Sequence, residues 1–490
     1  MKIIGIIAEY NPFHNGHAYQ IEKIRRETGA DYIIIAMSGD FVQRGTPALT
    51  DKYTRTEMAL RCGADLVFEL PVLFSCASAE YFARAGVSLF EKTGCTDGLC
   101  FGAETDNLPL LSSLAEFLCE EPPDYRDMLS SYIKNGMTFP QARILALAGS
   151  FAGAGLKAPT EPPAAPATPA PTADPGTLMR ILESPNNILA VEYLKALRRS
   201  GSSMRPYVIR REGAGYHDTA LHASASDGGS DARQVSAFAD HSDAPQIPAS
   251  ASGIRQLLLS DFAASRCKNA EAYLATAMPA PAAALLAAGL REYPPVTADD
   301  FSAVLGYRLL SMTADELAAA ADCSPEIANR LQKKRAAFSS FTSFAAACKS
   351  RDVTRTRMNR ILLHTVLSVT NEDYRHYSAA GYIPYLRILG FRRASAAVLT
   401  RIKECASVPM ISKLADASVL LPPDAHALLE KDIYASELYA QTRHLKALSY
   451  AETCMADTVR EQRMPHLADH SYVQKKTTPR SEYTREIVLV

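Results

Sequence analysis

The chain has 490 residues, of which 47% are apolar and 21% charged, and its formal net charge is −1. This balance predicts a globular protein of two or more domains, and the near-zero net charge indicates no particular class of binding partner. The ten cysteines form no CxxC pair and no Cys/His cluster, so we expect reduced thiols and no metal site. Since no run of 18 apolar residues and no leader-like start occurs, the expected location is cytoplasmic, without a membrane.

Strands and helices alternate along the first 110 residues. Apolar, β-branched segments predict strands at 3–8, 32–37, 66–70 and 98–101. Helical spacing of apolar residues predicts helices at 19–26, 55–62 and 79–91. This alternation predicts an α/β fold with a Rossmann-like parallel sheet, whose ligands bind at the carboxyl ends of the strands.

The turn between the first strand and the first helix reads His14-Asn15-Gly16-His17. Gly16 lets a phosphate chain approach the backbone, and the helix N-terminus attracts the anion. Two imidazoles three residues apart can stabilise charge that develops during attack at an α-phosphate. The sequence therefore predicts a nucleotide α-phosphate site here, with a structural histidine pair as the alternative.

Other candidate site residues lie in loops and at helix starts farther along the chain. Asp40 follows the second strand and could orient a nucleophile, and Gly102 ends the strand that begins at residue 98. Helix starts and turns add further candidates, namely Asn186, Asn187, Arg211, Ser252 and Arg255. Ser252 and Arg255 open a helix and suggest a second phosphate cradle. Plain surface loops and helix capping are the alternatives for these motifs.

Two low-complexity stretches interrupt the pattern at about 157–176 and 219–250. Their Pro, Ala, Ser and Asp content cannot bury a core, so we interpret them as insertions. Helical signals dominate after residue 256. The chain is therefore predicted to contain a catalytic domain at 1–260 and a mostly helical domain at 261–490.

Positive charge concentrates in the second half of the chain. Residues 301–405 contain 16 Lys and Arg against 8 Asp and Glu. Basic residues mixed with aromatic ones suit an RNA surface, although a solvated helical face has the same composition. The candidate RNA-binding residues are Arg351, Arg355, Arg357, Arg360, Arg387, Arg392 and Arg393.

The HxGH turn together with the Ser-x-Ser-x-Ile-Arg helix start resembles the HxGH nucleotidyltransferase superfamily, of the HUP type. Ordered motifs from residue 1 to about 440 resemble more closely the bacterial tRNA(Met) cytidine acetate ligase family. These motifs are AEYNPFHNGH, MSGDFVQRG, GADLVFELP, FGAE, PNNILAVEYLKAL, GAGYHD, TRTRMNRILLH and YLRILGF. No lysine loop like KMSKS is present.

This resemblance implies an ATP-dependent ligase that forms acetyl-adenylate from acetate and transfers the acetyl group to the wobble cytidine of elongator tRNA(Met). ATP is the implied substrate, with Mg²⁺ accompanying it, and the partners are that tRNA and acetate. His14, His17 and Asp40 are the catalytic candidates. Gly102, Arg211 and one asparagine of the 186–187 pair are implied ATP contacts. So are residues of the 7–20 segment, namely Ile7, Ala8, Glu9, Tyr10, Asn11, Pro12, Phe13, His14, Asn15, Gly16, His17 and Gln20.

Two other functions share parts of these motifs. A small-molecule adenylyltransferase acting on a phosphorylated metabolite or mononucleotide would need the HNGH turn but no basic helical domain. An RNA-binding scaffold with a degenerate nucleotide pocket would not need an intact HNGH turn. From the residues alone, the inference stops at an adenylyl-transferring α/β domain joined to a basic helical domain.

Overall fold

The computed structural model describes residues 1–153, 177, 181–211, 250–263, 270–460, 479 and 481–490. Both predicted insertions lie outside these residues, apart from Ser250. Within the described part, no helix combines the length and the apolar character needed to cross a bilayer.

Ten strands occur in the described residues. In chain order β1 to β10 they are Ile3–Ala8, Tyr32–Ser38, Phe41–Val42, Thr46–Pro47, Leu66–Leu70, Gly98–Ala103, Arg205–Arg210, Leu386–Phe391, Met410–Ile411 and Val488–Leu489. The four strands predicted in the first 110 residues are confirmed.

Twenty α-helices accompany the strands in the same residues. The first ten, α1 to α10, are Asn15–Thr28, Lys52–Arg61, Val72–Ser75, Ala79–Lys92, Leu108–Glu120, Pro123–Lys134, Phe139–Gly153, Pro185–Ser200, Ala251–Ala263 and Ala270–Ala277. The remaining ten, α11 to α20, are Ala280–Glu292, Ser302–Ser311, Ala314–Ala319, Pro325–Lys334, Phe341–Cys348, Arg355–Leu367, Asn371–Ala379, Ala396–Cys405, Ala417–Leu420 and Pro423–Arg460.

One eight-stranded sheet organises the molecule. Its order is β10-β8-β5-β2-β1-β6-β7, with β9 paired to β8, and β3 and β4 form a separate hairpin. Strand β1 pairs in parallel with β2 on one side and with β6 on the other. The strand order therefore reverses at β1, because β2 and β5 are added on one side of it and β6 and β7 on the other. Such a switch point opens a crevice at the carboxyl ends of the strands, which is where the HNGH turn lies.

Alternation along the strands separates the core into two layers. Ile34 and Phe68 contribute to one buried cluster, whereas Ile33, Ile35 and Val67 contribute to the other. Successive side chains of a strand point to opposite faces, so both faces of the central strands are covered. These near-continuous apolar runs are therefore buried on both sides, as a parallel sheet requires.

The described residues of 261–490 are mostly helical, as predicted, and they also supply three short strands to the sheet. Strand β8 pairs antiparallel with β5, and β9 and β10 pair in parallel with β8. The sheet is thus parallel in its main part and mixed at one edge. Since strands from both sides of residue 260 share it, the two predicted domains have a common core.

Arg387 belongs to that core and not to a surface. Its side chain is 4% exposed and lies 2.9 Å from Glu69 and 2.6 Å from Glu482. Lys52 is also buried and pairs with the same two carboxylates, at 2.9 and 3.1 Å. Two cations and two anions therefore compensate one another where α2, β5, β8 and the C-terminal segment meet, because an unpaired buried charge is costly.

Candidate active site

A cavity of about 550 Å³ opens at the carboxyl ends of β1, β6 and β7. This volume lies within the usual range for small-molecule sites. The lining includes most of the predicted ATP contacts, namely Ile7, Ala8, Glu9, Tyr10, Asn11, His14, Gly16, His17, Gln20, Gly102, Asn186, Arg211, Ser252 and Arg255. The structure thus brings together residues that are up to 248 positions apart in the sequence.

The two histidines begin helix α1 and hold each other in place. His14 is the N-cap residue, and its Nδ1 accepts a hydrogen bond from the backbone N–H of Gly16 at 3.1 Å. His17 Nδ1 accepts the backbone N–H of His14 at 3.2 Å, and the two rings stack with centroids 3.8 Å apart. Because each Nδ1 accepts a hydrogen bond, each neutral imidazole carries its proton on Nε2.

Both imidazoles are neutral over the physiological range. Burial, and after it the positive charges of Arg211 and Arg255, lower the pKa of His14 to about 3. Burial, His14 and Arg211 hold the pKa of His17 well below its usual value. The pair therefore offers two N–H donors at a helix N-terminus, which is where an anion binds most readily.

Arginine side chains supply the positive charge of the cavity. Among the described residues the lining contains four arginines (positions 44, 210, 211 and 255) and one carboxylate, Glu9. Arg255 donates to the backbone oxygen of Asn11 at 2.6 Å and to Ser252 Oγ at 3.1 Å, so helix α9 is tied to the loop after β1. Burial lowers the pKa of Arg44, Arg211 and Arg255, and nearby Glu9 or Glu104 opposes that shift. A triphosphate suits such a site.

The two asparagines at the start of helix α8 have different roles. Asn186 lines the cavity and donates to Glu104 Oε1 at 2.7 Å. Asn187 is 3% exposed and is not among the lining residues; its Oδ1 accepts the backbone N–H groups of Glu104 and Thr105 at 2.9 and 3.3 Å. Asn186 is therefore the member that can reach a ligand, and Asn187 shapes the wall behind it.

Four other predicted residues also lie outside the cavity lining. Pro12 and Phe13 are buried, and the Phe13 ring packs against Tyr10 with centroids 4.9 Å apart. Asn15 Nδ2 donates to the backbone oxygen of Thr276 at 2.8 Å. Asp40, predicted as catalytic, is 5% exposed, and its Oδ1 accepts the backbone N–H of Lys52 at 2.8 Å. Its position gives it a role in holding the loop after β2, and burial raises its pKa to about 6.

Arg55 is a structural residue that sequence reasoning missed. Its side chain is fully buried, and its guanidinium donates to the backbone oxygens of Glu9, Ser38, Gly39 and Thr50. The first three of these carbonyls lie at the carboxyl ends of β1 and β2, so one side chain links the ends of two neighbouring strands. An arginine in the middle of a predicted amphipathic helix carries no local signal for such a role.

Fifteen lining residues were absent from the sequence-based candidate list, among them Ala79, Phe82 and Tyr193. Another of them, Thr356, comes from the second half of the chain and lies in the first turn of helix α16. Because it follows Arg355 directly, the basic segment begins at the border of the cavity. Thr356 belongs to the TRTRMNRILLH motif, which was the only available signal.

The predicted RNA-binding arginines separate into exposed and buried groups. Arg351, Arg355 and Arg393 are exposed, and Arg357 and Arg392 are partly exposed. Arg360 is 9% exposed and pairs with Asp322 at 2.8 Å, so a surface role was wrong for it and for Arg387. Buried ion pairs serve packing, and a phosphate cannot reach them without breaking the pair.

Comparison with known proteins agrees with this geometry. The family model described as HIGH Nucleotidyl Transferase matches residues 1–242 and 230–452. The tRNA(Met) cytidine acetate ligase of Acetivibrio thermocellus is 34% identical over 443 residues, covering 90% of this chain and 94% of that protein. The protein of the same name from Clostridium perfringens strain SM101 is 35% identical over 441 residues, covering 90% and 95%.

Solved structures show the same fold. Thermotoga maritima TmcAL bound with α-thio ATP superposes with a TM-score of 0.74 at 27% identity, covering 90% of this chain and 95% of that one. The apo form of the same protein gives a TM-score of 0.76 at 28% identity, with the same coverage. On the extent and identity of these matches, the chain belongs to the tRNA(Met) cytidine acetate ligase family of HIGH-type nucleotidyltransferases.

Proposed function

We propose that this protein activates acetate with ATP and transfers the acetyl group to N4 of the wobble cytidine of elongator tRNA(Met). Acetate would attack the α-phosphate to give acetyl-adenylate and pyrophosphate, and the cytidine amine would then attack the acetyl carbonyl. The observation that carries this proposal is the pair of neutral, Nε2-protonated histidines in an arginine-lined cavity. Such donors stabilise charge that develops on the phosphate during attack.

The remaining residues have complementary roles in the proposal. Arg211 and Arg255 would hold the triphosphate, Gly102 and Asn186 would border the nucleoside, and Mg²⁺ would enter as part of the ATP complex. Asp40 would act through the loop that it holds. ATP would react in the 1–260 part of the chain, and RNA would bind to the 261–490 part, in a cytoplasmic protein.

Tests of the proposal follow pyrophosphate release from ATP in three parallel assays. Acetate should support release without RNA, and adding tRNA(Met) should convert the adenylate into N4-acetylcytidine, detected by mass spectrometry of the digested RNA. A mononucleotide or phosphorylated metabolite replaces acetate in the third assay. Release that depends on that metabolite and not on acetate would instead identify a small-molecule adenylyltransferase.

A further inference from the structure

Part of the cavity lining has no role in the ATP reaction as proposed above, although the family resemblance implies Glu9 as an ATP contact. This part comes from the end of β1, the turn between β3 and β4, and helices α4, α8 and α16. Its lining residues are Glu9, Gln43, Arg44, Ala79, Phe82, Tyr193 and Thr356. We call these seven residues the acceptor branch, and they combine one carboxylate with one guanidinium, one phenol and an apolar wall.

Two polar groups of the acceptor branch have hydrogen-bonding capacity left. Glu9 Oε1 accepts the backbone N–H of Gln43 at 3.0 Å, while Oε2 has no hydrogen-bond partner among the described residues. Tyr193 is 5% exposed, and its hydroxyl likewise makes no hydrogen bond within the part of the chain described. Both side chains line the cavity, so these two atoms can bind polar atoms of a ligand there.

The carboxylate of the acceptor branch disfavours the triphosphate as that ligand. A carboxylate repels phosphate oxygens, and Glu9 is the only carboxylate among the described lining residues. Burial, and then the charge of Glu9, raises the pKa of the Tyr193 phenol, so this hydroxyl stays a neutral donor. Arg44 lines the same cavity as Glu9, and the charge of Glu9 opposes the burial effect on the pKa of Arg44.

The acceptor branch offers one hydrogen-bond acceptor, Glu9, and two donors, Arg44 and Tyr193. This set matches the Watson–Crick edge of cytosine. That edge presents the N4 amine, which donates, next to N3 and O2, which accept. A carboxylate is the usual partner of the cytosine amine, and unstacked bases of RNA lie on aromatic side chains. Phe82 provides an apolar wall, and Phe101 packs against Tyr193 with ring centroids 5.5 Å apart.

Building on the proposed function, we propose that the acceptor branch binds the cytosine ring and that Glu9 Oε2 accepts the N4 proton. The N4 lone pair attacks the acetyl carbonyl of acetyl-adenylate, and a nitrogen–carbon bond forms. The bond from that carbon to the AMP oxygen breaks, AMP leaves with the electron pair, and the N4 proton passes to Glu9. Glu9 thus acts as the general base and as the residue that selects cytosine.

The same contact rejects uracil, whose O4 is an acceptor and would face the carboxylate. A mismatch at one such contact changes affinity by about 10- to 100-fold. Glu9→Gln keeps an acceptor for the Gln43 N–H group but removes the charge and the basicity. Glu22→Gln on the exposed face of helix α1 is the matched control, since the Glu22 side chain is 76% exposed.

The experiment uses the full chain and tRNA(Met) transcripts with cytidine or uridine at the wobble position. In Glu9→Gln, single-turnover acetyl transfer should fall at least about 30-fold more than acetate-dependent pyrophosphate release, because a general base contributes about 10²–10⁴-fold. Its preference for the cytidine transcript over the uridine transcript in filter binding should shrink. Tyr193→Phe should reduce transfer without lowering the melting temperature.

Two results would overturn the assignment of Glu9. Equal losses in both half-reactions would place Glu9 in the ATP step or in the fold, and an unchanged cytidine preference would remove it from base recognition. The binding assay needs no acetate. A wild-type protein that releases no acetate-dependent pyrophosphate would therefore contradict the proposed function, while the binding assay would still decide the role of Glu9.

Discussion

Replacing His14 separates the capping role of that residue from its role in the reaction. Its Nδ1 caps helix α1 through the Gly16 N–H, and its Nε2 proton is available to a ligand. His14→Asn keeps a good N-cap but cannot present a donor at the distance of Nε2. His14→Ala removes both, so it should lose about 1 kcal/mol of stability relative to His14→Asn. Both variants should lose roughly 2.7–4 kcal/mol of transition-state stabilisation, or about 10²–10³ in rate.

The buried, neutral state of His14 also has a consequence for stability. Its pKa falls from 6.5 in the unfolded chain to about 3 in the folded protein. Between these values the unfolded state binds more protons, so the folded state loses stability as the pH falls below 6.5. From pH 7 to pH 5 this loss amounts to about 2 kcal/mol for one such histidine. His14→Asn should be less sensitive to that pH change by the same amount.

Urea unfolding of the wild type and both His14 variants at pH 7 and pH 5 measures their free energies of unfolding. Acetate-dependent pyrophosphate release between pH 5.5 and 8.5 measures the rate of the ATP reaction. Since His14 stays neutral across that range, its titration should add no inflection near pH 6.5 to the rate profile. An inflection there that disappears in His14→Asn would mean that the imidazole is protonated in the working enzyme. A wild-type rate in His14→Asn would remove His14 from the reaction altogether.

Three further substitutions test other parts of the structure. Arg387→Met should cost about 3–5 kcal/mol in urea unfolding because it leaves two buried carboxylates underpaired, while wild-type stability would contradict the ion-pair network. Gly29 has φ +64° and open space around it, so Gly29→Ala should lose about 1 kcal/mol of stability. Gly45 has φ +71°, and an added Cβ would also meet the backbone of helix α16. Gly45→Ala should therefore lower the melting temperature more than Gly29→Ala. Arg355→Glu should lower the slope of log affinity for tRNA against log salt by about 0.7–0.9 in filter binding, whereas Arg401→Glu on helix α18 should leave it unchanged.

The sequence was sufficient for the parts of the fold that depend on local pattern. Apolar runs such as 3–8 and 66–70 are buried on both faces of a parallel sheet, so their composition alone marks them as strands. The local structure of the HNGH turn could also be predicted from the sequence, because Gly16 and the two histidines lie within one helical turn. Residues close in sequence have few alternative arrangements, and a local motif therefore predicts its own geometry.

Long-range pairing accounts for what the sequence did not predict. Strand β8 contains Arg387 and reads as part of a basic segment, yet it joins the sheet beside β5, more than 300 positions earlier. The charge of Arg387 is compensated by Glu69 and Glu482, which no local pattern connects to it. A count of basic residues cannot distinguish the buried, ion-paired Arg387 from an exposed arginine such as Arg355, because only the fold determines which charged side chains are exposed to solvent.

The division of charge inside the cavity explains why the site combines arginines with neutral histidines. In the proposed reaction, Arg211 and Arg255 would attract the triphosphate in the ground state as well as in the transition state. Burial and, after it, these two positive charges lower the pKa of His14, so that this imidazole adds no further ground-state ion pair. A neutral donor gains most when negative charge grows on the oxygen that it faces, and only such differential binding accelerates the chemical step. In the proposed reaction, triphosphate binding by the arginines and catalysis by the histidines would thus be coupled through electrostatics, because the arginines add to the effect of burial that keeps the histidines neutral.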